Sequence, residues 1–247
     1  MSYKYSVCTT AFRSVSLVND FIKPFLELGK EAQIVVVDND SRDGTIEKLS
    51  EFGPQVRPIS LRCSRGLGRQ KAMELSEGEI IINVEFDVAY TGIKNAISYF
   101  ERANPEKIYY FIVNGQKCNA SLYIGRRNLF EMVGGFPNLN YAEDLYMNKV
   151  AKKMGILVEV KIDMEINCLT VRGMSSGTEA RYEGRKLNQI KRRIIATRDI
   201  LFVNRIGYRE LMSKYKLKGF KALYIGIPEY LLGKLLIFTI EVPRLKD

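Results

Sequence analysis

Short apolar runs alternate with segments of helical periodicity over the first two thirds of the chain. Residues 5–9 and 33–38 are apolar runs that predict strands, and the second run does not alternate, so it is expected to be buried on both faces. Between them, residues 15–28 carry apolar side chains at helical spacing and end at Gly29, which predicts a helix.

The same alternation continues along the chain. It predicts strands over residues 56–61, 79–84, 108–113, 120–124 and 157–162, the last at a sheet edge, and helices over 45–52 (with Thr45 as its cap), 68–76, 93–102, 127–133 and 144–154. Strands and helices that alternate through short connections predict an α/β fold, with an open, mostly parallel sheet flanked by helices. Ligands of such sheets bind beyond the carboxyl ends of the strands.

Carboxylates stand at those strand ends. Asp38 ends the second predicted strand, Glu85 and Asp87 end the fourth, and Glu143 and Asp144 open a helix. Taken singly, each has a structural interpretation as a turn former, a loop acid or a helix-dipole partner. Together they favour chemistry: two carboxylates one residue apart can face a divalent cation that neutralises a diphosphate, and another can take a proton from a hydroxyl.

Composition narrows the possible mechanisms. The 247 residues include no histidine, which excludes Ser/His/Asp and Cys/His relays and a His-ligated zinc site. The four cysteines, at positions 8, 63, 118 and 168, lack zinc-site spacing and are interpreted as buried reduced thiols. No signal-peptide pattern opens the chain, so we expect a cytoplasmic protein.

The formal charge of +10 is confined to one segment. Residues 172–221 hold 14 Lys and Arg against 4 Asp and Glu, whereas residues 1–171 hold 21 of each. An apolar tail follows over residues 222–242, but Pro228, Glu229 and Lys234 interrupt it, so an interfacial element is expected rather than a membrane span. We therefore predict one domain over 1–171 and a basic, helical, amphipathic extension over 172–247.

That extension suits an anionic membrane surface, where each nearby Lys or Arg contributes on the order of 1 kcal/mol. The structural alternative is a solvated basic helix followed by a helix that packs on the protein's own core. Nucleic acid is disfavoured as a partner because the sequence shows no RNA-binding signature and no zinc finger.

Four segments carry a resemblance to a known family. They are residues 5–13 (YSVCTTAFR), 37–45 (VDNDSRDGT), 66–81, and 125–145 with the Glu143-Asp144 pair. In this order and spacing they resemble glycosyltransferase family 2, the inverting sugar transferases with the GT-A nucleotide-sugar-binding fold. The resemblance covers about two thirds of the chain.

The resemblance implies roles for individual residues. Asp38 would bind the nucleotide base, with Ala11 and Phe12 lining that pocket; Asp40 and Arg69 would lie close to the donor; Glu85 and Asp87 would ligate Mg²⁺ or Mn²⁺ on the diphosphate; and Asp144 would be the general base, with Glu143 as the alternative. Where many relatives have a histidine, near residues 171–175, Arg172 is the nearest cation and could bind a diphosphate oxygen.

The sequence therefore predicts an inverting glycosyltransferase that uses a nucleotide-sugar donor and an acceptor hydroxyl. The basic segment and apolar tail suggest a lipid-linked acceptor, such as a polyprenyl phosphate or a glycolipid, and peripheral work at the inner membrane face. One alternative is a sugar-nucleotide-binding protein without turnover, since Glu85 replaces the family's usual first aspartate. The other is a sugar-phosphate nucleotidyltransferase, although residues 9–14 lack the glycine-rich loop typical of that class.

Overall fold

A seven-stranded sheet forms the centre of the protein. The computed structural model describes residues 3–113, 120–169, 186–204 and 227–240. The sheet strands are β1 (Tyr5–Ala11), β2 (Ala32–Asp38), β3 (Val56–Ser60), β4 (Ile80–Val84), β6 (Ile108–Val113), β7 (Leu122–Arg126) and β8 (Leu157–Ile162). Two short strands, β5 (Val88–Ala89) and β9 (Asn167–Cys168), pair separately as an antiparallel ribbon.

The strand order is β3-β2-β1-β4-β7-β6-β8. Only β7 runs antiparallel to its neighbours, β4 and β6, so the prediction of an open, mostly parallel α/β sheet is confirmed. The prediction that residues 157–162 form an edge strand is also confirmed. Because β1 to β4 share one direction, residues that follow β2 and β4 emerge at the same edge of the sheet.

Helices cover both faces of the sheet. They are α1 (Val18–Leu26), α2 (Thr45–Ser50), α3 (Arg65–Glu74), α4 (Ile93–Arg102), α5 (Arg127–Met132) and α6 (Glu143–Lys153), followed by α7 (Lys186–Asn204) and α8 (Ile227–Leu236). One face buries Phe21, Phe25 and Phe100 from α1 and α4. The other buries Phe130 and Met147 from α5 and α6. Strand β2 is therefore buried along its whole length, as its non-alternating apolar run predicts, whereas the edge strands β3 and β8 carry exposed residues.

Three predicted helix starts differ clearly from the structure. Helix α3 begins at Arg65, with Ser64 as its cap, rather than at residue 68. Residues 15–28 divide into a 3₁₀ turn over Val15–Leu17 and then α1. Thr45 is the first helical residue of α2 rather than its cap, because Gly44 precedes it with φ 91°. The Asp43 carboxylate takes the capping role: its Oδ1 accepts hydrogen bonds from Thr45 N at 3.1 Å and Thr45 Oγ1 at 2.5 Å.

The cysteines are not all reduced thiols. Cys8 and Cys63 are free, and burial raises the pKa of the Cys8 thiol to about 12. Cys168 is exposed and disulfide-bonded, and its partner lies outside the described residues. The prediction of four buried reduced thiols is therefore wrong at Cys168, because the absence of close cysteine pairs in the sequence does not exclude a bond between distant ones.

The C-terminal helices α7 and α8 pack against each other. Within the described ranges, no helix is both long enough and apolar enough to cross a bilayer. The predicted boundary between residues 171 and 172 lies outside the described residues and stays a prediction.

Candidate active site

Asp38 lies at the end of β2 and begins a loop over residues 38–45, here named the Asp38 loop. Its carboxylate is buried, with 1% exposure, and accepts two hydrogen bonds from Ser41, from N at 2.8 Å and from Oγ at 2.5 Å. Burial raises the pKa of Asp38, while the Ser41 bonds act in the opposite direction. The loop thus holds a buried acid with donors only three residues away.

The predicted nucleotide residues surround Asp38. Ala11 is buried and pairs with Asp38 in the β1–β2 register. The next residue, Phe12, is half-buried, and the Arg13 guanidinium lies 5.2 Å from the centre of its ring. Asp40 is half-buried with φ 48°, and its carboxylate oxygens accept from Arg42 at 3.3 Å. The structure therefore brings these predicted residues to one sheet edge.

Arg69 projects from α3 into the protein beneath that edge and is fully buried. Its guanidinium donates to Asn83 Oδ1 at 2.9 Å and to a carboxylate oxygen of Glu85. Helix α3 can approach β1 this closely because a Cβ at Gly68 would lie 2.4 Å from Thr10 Oγ1. A direct contact between Arg69 and the donor stays a prediction.

Glu85 follows β4 and forms an ion pair with Arg69. Ser121 Oγ also donates to the same carboxylate oxygen at 2.6 Å. Burial acts to raise the pKa of Glu85, but the charges of Arg69 and Arg65 and the Ser121 bond hold it below its ordinary value. For Arg69, burial opposes the charge, yet the surrounding carboxylates raise its pKa above the ordinary value. Both groups are therefore held in their charged forms.

Glu143 lies on the other side of Arg69 at the first position of α6, with 1% exposure. Its Oε1 is 3.6 Å from Arg69 Nε and 3.7 Å from Arg65 Nε, and its Oε2 is buried without a hydrogen-bond partner among the described residues. Burial raises the pKa of Glu143 to about 7, against the charges of Arg65 and Arg69. Asp144, the next residue, is half-buried, and its Oδ1 accepts from Leu145 N at 2.8 Å.

Residues 138–143, here named the Glu143 loop, are held by distant groups. Asn138 Oδ1 accepts from Ser64 Oγ at 2.6 Å, and Leu139 O accepts from Gly66 N at 2.8 Å. The Asp199 carboxylate, fully buried on α7, accepts from the backbone N of residues 140 and 141 at 2.8 and 3.1 Å. Helix α7 therefore supports the loop that leads into α6.

Sequence reasoning missed Asp199. The available signal was weak: Asp199 is one of only four acidic residues among fourteen Lys and Arg in the segment 172–221. Two contacts reinforce its position beside α6, since the rings of Tyr146 and Phe202 stack with centroids 5.8 Å apart, and Lys149 Nζ donates to Val203 O at 2.8 Å.

Glu85 and Asp87 are the predicted cation ligands. Asp87 is half-buried, and its backbone O accepts from Leu169 N at 2.8 Å, which ties this turn to the residue after β9. Among the residues that the structure describes, no group of three or more acidic or cysteine side chains could hold a metal by itself. Two carboxylates nevertheless fit Mg²⁺ or Mn²⁺ bound jointly with phosphate oxygens, because such sites use one or two protein carboxylates. Arg172 lies outside the described residues.

The sequence model of glycosyl transferase family 2 matches residues 6–160, which include the Asp38 loop, both acids after β4 and the Glu143–Asp144 pair. The chain belongs to this family. It is therefore a glycosyltransferase with a nucleotide-sugar transferase fold. No curated protein matches the sequence significantly.

Solved structures share the fold at low identity. S. aureus TarS in complex with UDP-GlcNAc has a TM-score of 0.63 at 15% identity, covering 93% of this chain and 79% of that one. The mannosyltransferase PcManGT from Pyrobaculum calidifontis, in complex with GDP-Man and Mn²⁺, has a TM-score of 0.57 at 14% identity, with 97% and 75% covered. Glucosyl-3-phosphoglycerate synthase from Mycobacterium tuberculosis, in complex with Mn²⁺, UDP and glucosyl-3-phosphoglycerate, has a TM-score of 0.56 at 12% identity. The match covers 88% of this chain and 82% of that one. These similarities establish the GT-A fold.

Proposed function

We propose that this glycosyltransferase moves a sugar, with inversion, from a nucleoside-diphosphate sugar to an acceptor hydroxyl. The observation that carries the proposal is the continuous set of contacts from Glu85, through buried Arg69, to Glu143 beside Asp144. It joins the end of β4 to the start of α6. Glycosyl transfer needs a group that handles the departing diphosphate and a group that accepts a proton in the same site.

Asp144 is the proposed general base. Unlike Glu143, whose carboxylate is enclosed and paired with arginines, Asp144 is half-buried at the first turn of α6 and is open to an incoming hydroxyl. It would remove the proton as the acceptor oxygen attacks the anomeric carbon from the side opposite the leaving group. The nucleoside diphosphate departs with the bonding electron pair, and because the attack comes from the opposite face, the anomeric configuration is inverted.

Donor binding is assigned to residues at the ends of β1, β2 and β4. Asp38, Ala11 and Phe12 form the proposed base pocket, with Asp40 beside it. Asp87 and Glu85 would hold Mg²⁺ or Mn²⁺, which when bound neutralises diphosphate charge. The relatives solved with Mn²⁺ and a nucleotide or nucleotide sugar support this assignment. Arg172 is proposed to bind a diphosphate oxygen, and Arg69 to keep Glu85 charged from behind the site.

The acceptor is proposed to be lipid-linked, of the polyprenyl-phosphate or glycolipid class. The support is the net charge of +10 in residues 172–221, next to an apolar tail, on a chain that is otherwise neutral. An anionic acceptor at a membrane surface would be attracted by such a segment. The enzyme would then act while bound peripherally to the inner face of the membrane.

The test is release of nucleoside diphosphate from a panel of nucleotide sugars, with Mn²⁺ or Mg²⁺, across lipid-linked and soluble acceptors. We expect Asp144→Asn to lower kcat by at least about 100-fold while nucleotide binding is retained, because general-base catalysis contributes that much. Asp163→Asn removes an exposed carboxylate after β8 and is the matched control.

Each other outcome has a clear meaning. Unchanged turnover in Asp144→Asn would reject this base. Nucleotide-sugar binding without turnover for any acceptor would support the non-catalytic alternative, in which Arg69 neutralises Glu85 permanently. Release of pyrophosphate from a nucleoside triphosphate and a sugar phosphate would instead indicate a nucleotidyltransferase.

A further inference from the structure

Helix α8 carries an apolar stripe on its solvent side. Ile227, Leu231, Leu235 and Phe238 follow one another at intervals of three or four residues across α8 and the 3₁₀ turn after it, so they lie along one face. Their exposed fractions rise along the stripe: 36%, 54%, 69% and 92%. We name these four residues the α8 stripe.

The opposite side of α8 is the side that packs on the protein. Glu229 and Gly233 are buried there, and a Cβ at Gly233 would lie 2.8 Å from Thr197 Cγ2 on α7. The helix thus places small and polar residues inward and its largest apolar residues outward. An amphipathic helix that only stabilised the fold would have the reverse orientation.

The α8 stripe differs from the other exposed apolar residues. Two further leucines of α8 are exposed, Leu232 at 43% and Leu236 at 37%. Outside α8 and the turn after it, the large exposed apolar side chains of the described residues stand at separate positions and none exceeds 45% exposure: Val15, Leu75, Tyr99, Met132, Leu145 and Met154. Single residues of that kind are normal at protein surfaces. A contiguous row that ends in a phenylalanine 92% exposed is typical of a surface that contacts another phase or molecule.

Charge indicates what that contact is. The segment before α8, residues 172–221, carries the whole net charge of +10, and Lys234 is exposed on α8 itself. Apolar residues on one helix face combined with nearby Lys and Arg are the two components by which an interfacial helix binds an anionic bilayer. We propose that the α8 stripe inserts into the headgroup region of an anionic lipid bilayer, to which the net positive charge of the chain also attracts the protein.

A second copy of the chain fits the stripe less well. Each copy carries a formal net charge of +10, so two copies repel each other electrostatically. A bilayer needs no complementary shape, and an anionic bilayer attracts a chain whose net charge is +10.

This proposal locates the membrane contact suggested for the acceptor, but its test is independent of transfer, since vesicle binding needs neither donor nor acceptor. The full chain is mixed with vesicles of phosphatidylcholine alone or with added phosphatidylglycerol and separated by flotation. We expect binding to the anionic vesicles at low salt, little binding to the neutral ones, and release at high salt.

The double variant Leu235→Gln with Phe238→Gln is expected to lower partitioning into anionic vesicles by at least about tenfold, because each side chain loses apolar burial in the bilayer. Met132→Gln, which removes a side chain 43% exposed on α5, is the matched control and should bind like the wild type. Both changes are at the surface, and unaltered melting temperatures check the fold. Leu231→Gln provides a second, independent variant of the stripe.

Several results would overturn the proposal. Wild-type protein that stays unbound with anionic vesicles, or stripe variants that bind as well as the wild type, would remove the bilayer contact. Equal binding to neutral and anionic vesicles would remove the part assigned to charge. A wild-type dimer in sedimentation that the double variant converts to a monomer would assign the stripe to self-association instead.

Discussion

The two loops of the candidate active site hold buried carboxylates by different means. In the Asp38 loop, most hydrogen bonds to carboxylates come from within the loop: Ser41 donates to Asp38, and Thr45 donates to Asp43, which also accepts from Val15 N at 3.2 Å. In the Glu143 loop, the nearest charges are on Arg65 and Arg69, more than seventy residues away. The backbone of this loop donates hydrogen bonds to Asp199 on α7, which lies more than fifty residues later in the chain.

This difference has consequences for stability and for prediction. A loop whose buried carboxylate is bonded by a residue three positions away keeps much of its local shape once the flanking strand and helix form. A loop that depends on distant charges takes its shape only when α3, α6 and α7 are packed together. The nucleotide side of the site is therefore expected to tolerate substitution better than the side that presents the proposed base.

The largest loss of stability is expected from Arg69→Met, because Arg69 supports the Glu143 loop from a distant part of the sequence. The substitution leaves Glu85 and Glu143 without the buried charge that they share, and breaking a buried ion pair costs about 3–5 kcal/mol of unfolding free energy. Urea denaturation followed by circular dichroism measures the loss.

Arg42→Met is the control for that comparison. Arg42 forms an exposed pair with Asp40 inside the Asp38 loop, with 83% of its side chain exposed, and exposed pairs contribute about 0–1 kcal/mol. Equal losses in the two variants would contradict the distinction between the loops. Arg69→Lys, which keeps the charge but not the planar fork, should fall between them.

A second effect depends on pH and concerns Glu143. Because its pKa is about 7 in the folded protein and 4.5 ordinarily, the folded state keeps a proton that the unfolded state loses between those values. The contribution of Glu143 to the unfolding free energy is therefore full below pH 4.5 and falls as pH rises to about 7, by about 3 kcal/mol in total.

Glu143→Gln should remove that part of the pH dependence. Unfolding free energies measured by urea between pH 4.5 and 8 would show a flatter curve for the variant, and the gap between the two proteins would widen in favour of the variant as pH rises. Asp163→Asn, which changes an exposed carboxylate, should leave the curve unchanged. Parallel curves for Glu143→Gln and the wild type would show that Glu143 is already ionised at low pH.

The smallest of the three effects is expected from Asp199→Ala. The variant leaves the backbone N–H groups of residues 140 and 141 without their acceptor, which costs about 2 kcal/mol, and hydrogen exchange at those two amides should accelerate. Asp43→Ala is the counterpart in the Asp38 loop and should cost about 1 kcal/mol, the usual value of a lost helix cap. A slower exchange at residues 140 and 141 than in the Asp43 variant would contradict the support assigned to α7.

Many of the strands and helices could be predicted because they depend on the local pattern of apolar and polar residues. The helix over 93–102 and the strands over 108–113 and 157–162 have the predicted bounds, since apolar periodicity and flanking turns define them. The position of Asp38 and Glu85 at one edge follows from parallel strands alone. The two-residue strands β5 and β9 were not predicted, because two residues are too few to show a period.

Other features depended on packing. The burial of the Arg69 guanidinium between two carboxylates could not be predicted, because no spacing rule reports the depth of a side chain. The disulfide at Cys168 escaped prediction for the same reason, since pairing of distant cysteines depends on the fold. The exposure of Phe238 and Leu235 likewise depends on which face of α8 meets α7.

Periodicity and short motifs are enough to predict the succession of the main strands and helices along the chain, the family, and the acids at the end of β2 and after β4. Tertiary packing was needed to show that Arg69 joins Glu85 to Glu143, that Asp199 supports the Glu143 loop, and that α8 turns its leucines outward. Those contacts link residues distant in sequence or depend on how two helices face each other. Free energies of burial and charge pairing, which act across space, select them.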